Sequence, residues 1–182
     1  MSPRRDPEGR KRALAQAVVE TVAEVGVGRT THRMVAARAG VPLGATTYYF
    51  PTLGDLIAAG LALVSADIAA ETAQWRAAVD EGAGRGQDMP EVLSRLVAEY
   101  LADQPKALLE YELYLAAARV PALRPLARAW LDGIHDLLAP IAGDEPARAI
   151  SALLDGAMLQ AVVTGDPLDQ QSLERAIRTL AG

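Results

Sequence analysis

Thr31, His32, Arg33, Leu43, Gly44, Ala45, Thr47, Tyr48, Tyr49 and Thr52 crowd into one short stretch of the chain. Their chemistry is that of contact with a nucleic acid. An arginine such as Arg33 can fork onto the O6 and N7 of guanine. Tyrosine and threonine hydroxyls can reach phosphate oxygens, which position a protein on a duplex without reading it. The methyl groups of Ala45 and Thr47 can meet thymine methyls, and Gly44 permits close approach of backbone. Thr46 is expected to pack inward, although its hydroxyl could also reach a phosphate. His32 either touches a phosphate or faces solvent.

These residues need elements to hold them, and residues 30–50, TTHRMVAARAGVPLGATTYYF, supply two. Thr30 or Thr31 can cap a first short helix by accepting from a free backbone N–H. Val35, Ala36 and Ala39 give that helix an apolar face. Gly40 stands where the helix must stop and turn, a conformation that suits glycine. Val41 plugs the joint, and residues 43–50 form a second short helix with Phe50 in the core. Two short helices about a tight turn make a helix-turn-helix, whose second helix enters a DNA major groove.

Charge is distributed to match. The whole chain of 182 residues carries a net −5, but residues 1–52 hold eight Lys/Arg against four acids. That segment is therefore +4 and the remainder −9. Basic charge gathers where phosphates would be neutralised. Arg4, Arg5, Arg10, Lys11 and Arg12 read either as a solvated tail or as a phosphate-contacting arm.

Other classes are set aside. The chain has no cysteine, which excludes disulfides, thiolate zinc sites and thiol catalysis. His32 and His135 lie far apart, and no metal-ligand spacing, nucleophile elbow or phosphate-binding loop is present. His135 with Asp132 or Asp136 reads as a helix-surface neighbourhood. No enzyme activity, cofactor or metal is expected. No apolar run reaches membrane-spanning length and no signal segment follows the basic start, so the reading is a cytoplasmic protein without a membrane partner.

Elsewhere apolar residues recur at three- and four-residue steps, which predicts an all-α chain of about nine or ten helices. A helix over 10–25 buries Leu14, Ala17, Val18, Thr21, Val22 and Val25. A long one follows residues 51–55 and reaches about residue 79. Residues 81–88 read as a Gly-rich flexible loop. Later helices are expected over 90–102, 105–119, 121–140 and 144–165, with a short amphipathic one closing the chain. Pro140 and Gly143 are expected to break it. The helices at 121–140 and 144–165 carry broad apolar stripes with small residues. They predict a dimer interface through Ala127, Leu131, Ile134, Leu153, Ala157 and Ala161.

Over residues 10–57 the chain resembles the TetR (tetracycline-repressor-like) family of transcription regulators. The resemblance rests on Thr31, Arg33, Val35, Ala36, Ala39, Gly40, Val41, Pro42, Gly44, Tyr49, Phe50 and Leu56. It implies an N-terminal three-helix DNA-binding domain over 1–52 and a larger helical ligand-binding and dimerisation domain over 53–182. It also implies a homodimeric repressor released from a palindromic double-stranded DNA operator by a small-molecule effector, with Arg33 at a position that reaches DNA. The effector would bind inside the larger domain, with Trp75, Tyr100, Tyr111, Tyr114, Trp130 and Met158 as candidate lining. These aromatics favour an apolar or aromatic ligand. Glu110 and Glu112 flank Tyr111, and one of them is expected to face solvent. The chain departs from the family at Thr46 and Thr47, where Leu and Tyr are frequent, and at Leu53, where a lysine often grips phosphate. The alternative reading is a helical protein-interaction adaptor that reuses the helix-turn-helix for packing.

Overall fold

The computed structural model describes residues 6–182, so Arg4 and Arg5 of the proposed arm lie outside the described residues. Nine α-helices and no strand occur among the described residues. They are α1 (Pro7–Val25), α2 (His32–Arg38), α3 (Leu43–Tyr49), α4 (Leu53–Gly84) and α5 (Met89–Ala102). Then come α6 (Gln104–Ala116), α7 (Arg124–Ala142), α8 (Asp144–Thr164) and α9 (Gln170–Ala181). Short 3-10 turns lie at Val27–Arg29 and Pro121–Leu123. The all-α expectation holds, and several boundaries move.

Side-chain oxygens start the helices. Asp6, Thr31, Asp88 and Asp169 each accept a hydrogen bond from a first-turn N–H of α1, α2, α5 and α9, meeting donors that no helical carbonyl can reach. At α4 the Thr52 hydroxyl accepts from Asp55 N at 3.1 Å, and Thr52 N donates to the Asp55 carboxylate at 3.0 Å. That is a reciprocal cap.

Two helix ends share one design. Gly40 N donates to Ala37 O and Val41 N to Ala36 O; Gly86 N donates to Ala83 O and Gln87 N to Gly82 O. Both glycines have positive φ, 66° and 78°. Each pair is a glycine-dependent C-terminal cap. The second corrects the expected loop over 81–88, because α4 continues through Gly82 to Gly84. A Cβ on Gly82 would lie 2.6 Å from Val92 Cγ2 on α5. Glycine there serves close packing, not flexibility.

Pro140 also fails to break its helix, and α7 runs on to Ala142. A proline lacks the N–H that would bond the carbonyl four residues back. That carbonyl, Asp136 O, instead accepts from the Arg76 guanidinium at 2.6 Å. The helix over 105–119 ends early, with Ala117, Ala118 and Arg119 turning by i→i+3 bonds.

The described residues group into two compact units, residues 6–66 with 109–127, and residues 67–108 with 128–182. In the first, α1 buries Leu14, Ala15, Ala17, Val18, Thr21 and Val22. Helix α2 packs on α1 and on α3. Gly60 of α4 lies so close to α1 that a Cβ would sit 2.7 Å from Val18 Cγ1 and 3.2 Å from Val19 Cγ2. In the second unit α5, α8 and α9 pack on one another. Their interior holds Val92, Leu93, Val97, Ile150, Leu154 and Ile177. Arg178 of α9 pairs with Asp88 and, at 2.7 Å, with Glu174.

Helices α4 and α8 are long and apolar enough to cross a membrane by length and composition alone, with mean hydropathy 1.7 and 1.2 over their richest windows. This amends the expectation that no segment reaches that length. The alanine-rich composition of both raises the mean without any long uninterrupted run of large apolar residues.

Two outcomes follow. Gly60→Ala gains about 1 kcal/mol in helix propensity but overpacks a rigid, β-branched contact at a cost of about 1–3 kcal/mol. The urea unfolding midpoint should fall, and an unchanged or higher one would show that α4 can back away from α1. The second concerns acid. The Thr52 hydrogen bonds hold the Asp55 carboxyl below its ordinary 3.8. Arg178 lowers Asp88, Arg148 lowers Asp144 and Ser172 lowers Asp169 in the same way. A carboxyl depressed by folding stabilises above its unfolded pKa and loses that contribution as pH falls through its folded one. Thermal stability should therefore decline as pH drops below about 4. Asp55→Asn should make that acid limb shallower in melts run across it.

Candidate nucleic-acid interface

Helix α2 begins where Thr31 Oγ1 accepts from Met34 N at 3.3 Å. Thr30 takes the other role, with its buried hydroxyl donating to Gly26 O at 2.9 Å. Val35 and Ala36 are buried, which turns Arg33 outward. Helix α3 starts after Pro42 and presents exposed Leu43, Gly44, Thr47 and Tyr48, with Ala45 half-buried. Thr46 is fully buried and its hydroxyl donates to Leu43 O at 2.7 Å, so it packs inward as expected. Tyr48 is 78% exposed, whereas Tyr49 is half-buried with its ring edge-on to Tyr48 at 5.1 Å. Phe50 is half-buried, short of the core position expected for it. Thr52 is exposed but already engaged with Asp55 at 2.7 Å through its hydroxyl.

His32 is not simply turned to solvent. It is half-buried, its Nδ1 is enclosed without a hydrogen-bond partner, and it lies near enough to Asp55 to help lower that carboxyl.

Cation pairing sharpens the basic patch. Arg38 pairs with Glu24 and, at 3.7 Å, with Glu20, both on α1. Lys11 pairs with Glu8 at 3.1 Å, and Arg29 Nε donates to Val25 O at 2.8 Å. Arg10, Arg12 and Arg33 are exposed and carry no ion pair among the described residues. Of the basic residues over 6–52, these three and Arg29, whose one bond is to a neutral carbonyl, carry a charge that no acid offsets.

A family model described as the tetracyclin repressor-like C-terminal domain matches residues 84–182. The chain belongs to the TetR family. It is an all-helical, DNA-binding transcription regulator of the helix-turn-helix type. Its curated relatives include the HTH-type transcriptional regulator BetI of Burkholderia mallei, 29% identical over 177 residues that cover 91% of this chain and 88% of BetI. Among solved structures, the multidrug binding protein EbrR complexed with ethidium is 38% identical, covers 99% of each chain and superposes with TM-score 0.83. A TetR-family member from Streptomyces coelicolor A3 is 39% identical, with 94% of this chain and 97% of that one covered and TM-score 0.78.

The residues proposed for this TetR-family chain's effector pocket fall into separate groups. In the second unit, buried Trp75 and Tyr100 stand edge-on at 6.5 Å. The Lys106 ammonium sits 5.4 Å above the Tyr100 ring and 2.7 Å from the Glu71 carboxylate. Trp130 is half-buried, and Met158 is buried. In the first unit, buried Tyr111 stands edge-on to Tyr114 at 6.3 Å. Neither flanking acid is simply solvated. Glu110 is 3% exposed, and Glu112 accepts from Val27 N at 2.9 Å.

Of the proposed dimer residues, Ala127 is buried within its own chain because its face of α7 turns inward. Leu131 is exposed and Ile134 half-buried. Leu153, Ala157 and Ala161 line an open groove of about 400 Å³ with Leu168, Leu173 and Ala176. Sequence reasoning missed the share of α9, whose amphipathic pattern was legible but whose outer side was not assigned. Glu71 and Lys106 were missed as well, and so was the partner of Glu112, since each bond joins residues far apart in sequence.

Proposed function

We propose that this TetR-family chain is a homodimeric repressor that holds a palindromic operator through α2 and α3 and lets go when a small molecule binds. The observation that carries it is the outward set Arg33, Leu43, Gly44, Thr47 and Tyr48, together with the exposed cations Arg10 and Arg12. The reading assigns DNA contact to residues 1–52, and effector binding and dimerisation to 53–182. Arg33 would read a base edge, and the Tyr48 and Tyr49 hydroxyls would grip phosphates. Thr31 and Thr52 would present their segments' backbone to the duplex while capping their helices.

A second copy would cover α8 and α9. Val163 is 74% exposed, and Leu153, Ala157 and Ala161 leave a small-residue, apolar groove beside it. Small residues allow helices of two copies to approach closely, and two-fold pairing places two reading heads on two half-sites. Such a repressor would work in the cytoplasm, where the DNA is.

For the effector we propose an aromatic cation. Structures of EbrR hold ethidium, proflavin and malachite green, and these dyes are aromatic cations. Trp75 and Tyr100 supply aromatic rings, and a cationic effector would take the place that the Lys106 ammonium holds between the Tyr100 ring and the Glu71 carboxylate.

Selection of bound genomic fragments with purified protein should yield a palindrome, protected by two copies of the chain. Arg33→Ala with Tyr48→Phe should abolish that footprint with unchanged circular dichroism, whereas Arg38→Ala should weaken it far less, because Arg38 is held by α1 acids. Equal losses would overturn the assignment of the head. Proflavin or ethidium should bind the free protein and lower operator affinity at least about tenfold, a coupling within the usual allosteric range. Unchanged affinity with dye bound would remove the aromatic cation as effector.

A further inference from the structure

We infer that Glu112 of α6 is a positioning residue for the DNA-reading head, acting through the turn between α1 and α2. The inference rests on the DNA-reading role proposed above and concerns a residue that touches no DNA. Helix α1 ends at Val25, and Gly26 takes φ +81°. Gly26 N still bonds back to Val22 O at 2.8 Å, but the next donor, Val27 N, has left the helix. The Glu112 carboxylate meets it at 2.9 Å across 85 residues of sequence.

The fit around that carboxylate is close. A Cβ on Gly26 would lie 3.3 Å and 3.4 Å from its two oxygens. A side chain at position 26 is therefore disfavoured twice, by the backbone angle and by the acid. On the far side of the turn, Gly26 O accepts from Arg29 N and from the Thr30 hydroxyl, and Thr30 N donates to Val27 O. Thr31 then caps α2. Gly26, Arg29, Thr30 and Thr31 are thus tied locally, whereas the tie at Val27 N comes from α6. The turn contains two glycines, Gly26 and Gly28, whose freedom would otherwise be large. A charge-assisted hydrogen bond to a backbone N–H removes that freedom and satisfies a part-buried donor. Because α2 carries Arg33 directly after this turn, the angle at which Arg33 is offered depends on an acid that sequence places in the distal part of the chain.

The test uses the full-length protein with Glu112→Ala, Glu112→Asp and Glu112→Gln. Aspartate keeps the charge but draws the oxygen back by one bond; glutamine loses the charge but keeps an acceptor in place. Amide exchange at Val27, operator affinity and affinity for an unrelated duplex are measured for each. Alanine and aspartate should speed Val27 exchange and weaken operator binding about tenfold. Binding to the unrelated duplex should hold, since that rests on phosphate neutralisation. Glutamine should stay within about threefold of the parent in both readouts. Operator affinity unchanged in the alanine and aspartate variants would overturn the inference, as would an equal loss on both duplexes. If the parent selects no operator at all, the DNA-reading proposal falls by itself. Val27 exchange then decides the latch, and parent-like exchange in Glu112→Ala overturns it.

Discussion

The close approach of α4 to α1 at Gly60 is the contact on which the first unit is organised. Helix α1 offers one apolar stripe, from Leu14 to Val22, and both α2 and α4 rest on that helix. With no side chain at Gly60, the backbone of α4 comes down onto Val18 and Val19, and Ala15 O lies within 3.6 Å of where a Cβ would be. Such a seam has little room to slide, because β-branched side chains cannot swing aside. The start of α4 is fixed as firmly, by the mutual bonds of Thr52 and Asp55. The helix-turn-helix is therefore carried by a platform that is rigid before any DNA arrives.

Much of this was legible in the residues alone. The turn glycine at 40, the inward Thr46 and the α1 stripe follow from local rules with a single solution: positive φ for glycine, a short hydroxyl bonding its own helix, and a 3.6-residue period. What misled was punctuation. Gly82 and Pro140 look like breaks, yet each sits inside a helix. Their cost is met from outside the helix, by Val92 seated against Gly82 and by Arg76 bonding the carbonyl that Pro140 leaves free. No local pattern carries that information, since the partner lies far along the chain. The same holds for Glu112 and for the Lys106–Glu71 pair. The proposed DNA-contact set was visible by residue type, and the structure orders it by exposure: Tyr48 outward, Tyr49 and His32 half-buried.

Charge shows the same difference between inventory and arrangement. The basic excess of residues 1–52 is real, but part of it is spent within the fold. Glu20 and Glu24 engage Arg38, and Glu8 engages Lys11. These are exposed pairs of small individual worth to stability. Their effect is to offset the charge of Arg38 and Lys11 and leave Arg10, Arg12, Arg29 and Arg33 as the described cations of that segment without an acid partner. A net charge of +4 thus narrows to a few points of contact.

The tip of α3 has a consequence of a different kind. A side chain added at Gly44 would meet nothing within 4 Å, and Leu43, Thr47 and Tyr48 all point away from the core. The buried residue of that helix is Thr46, and it bonds to its own backbone. Four exposed positions of the tip can therefore change without disturbing anything that holds the domain together. Folding places almost no veto on them, so a reading head proposed at this tip would leave the preferred DNA sequence free to drift between descendants of this chain while the scaffold stays the same.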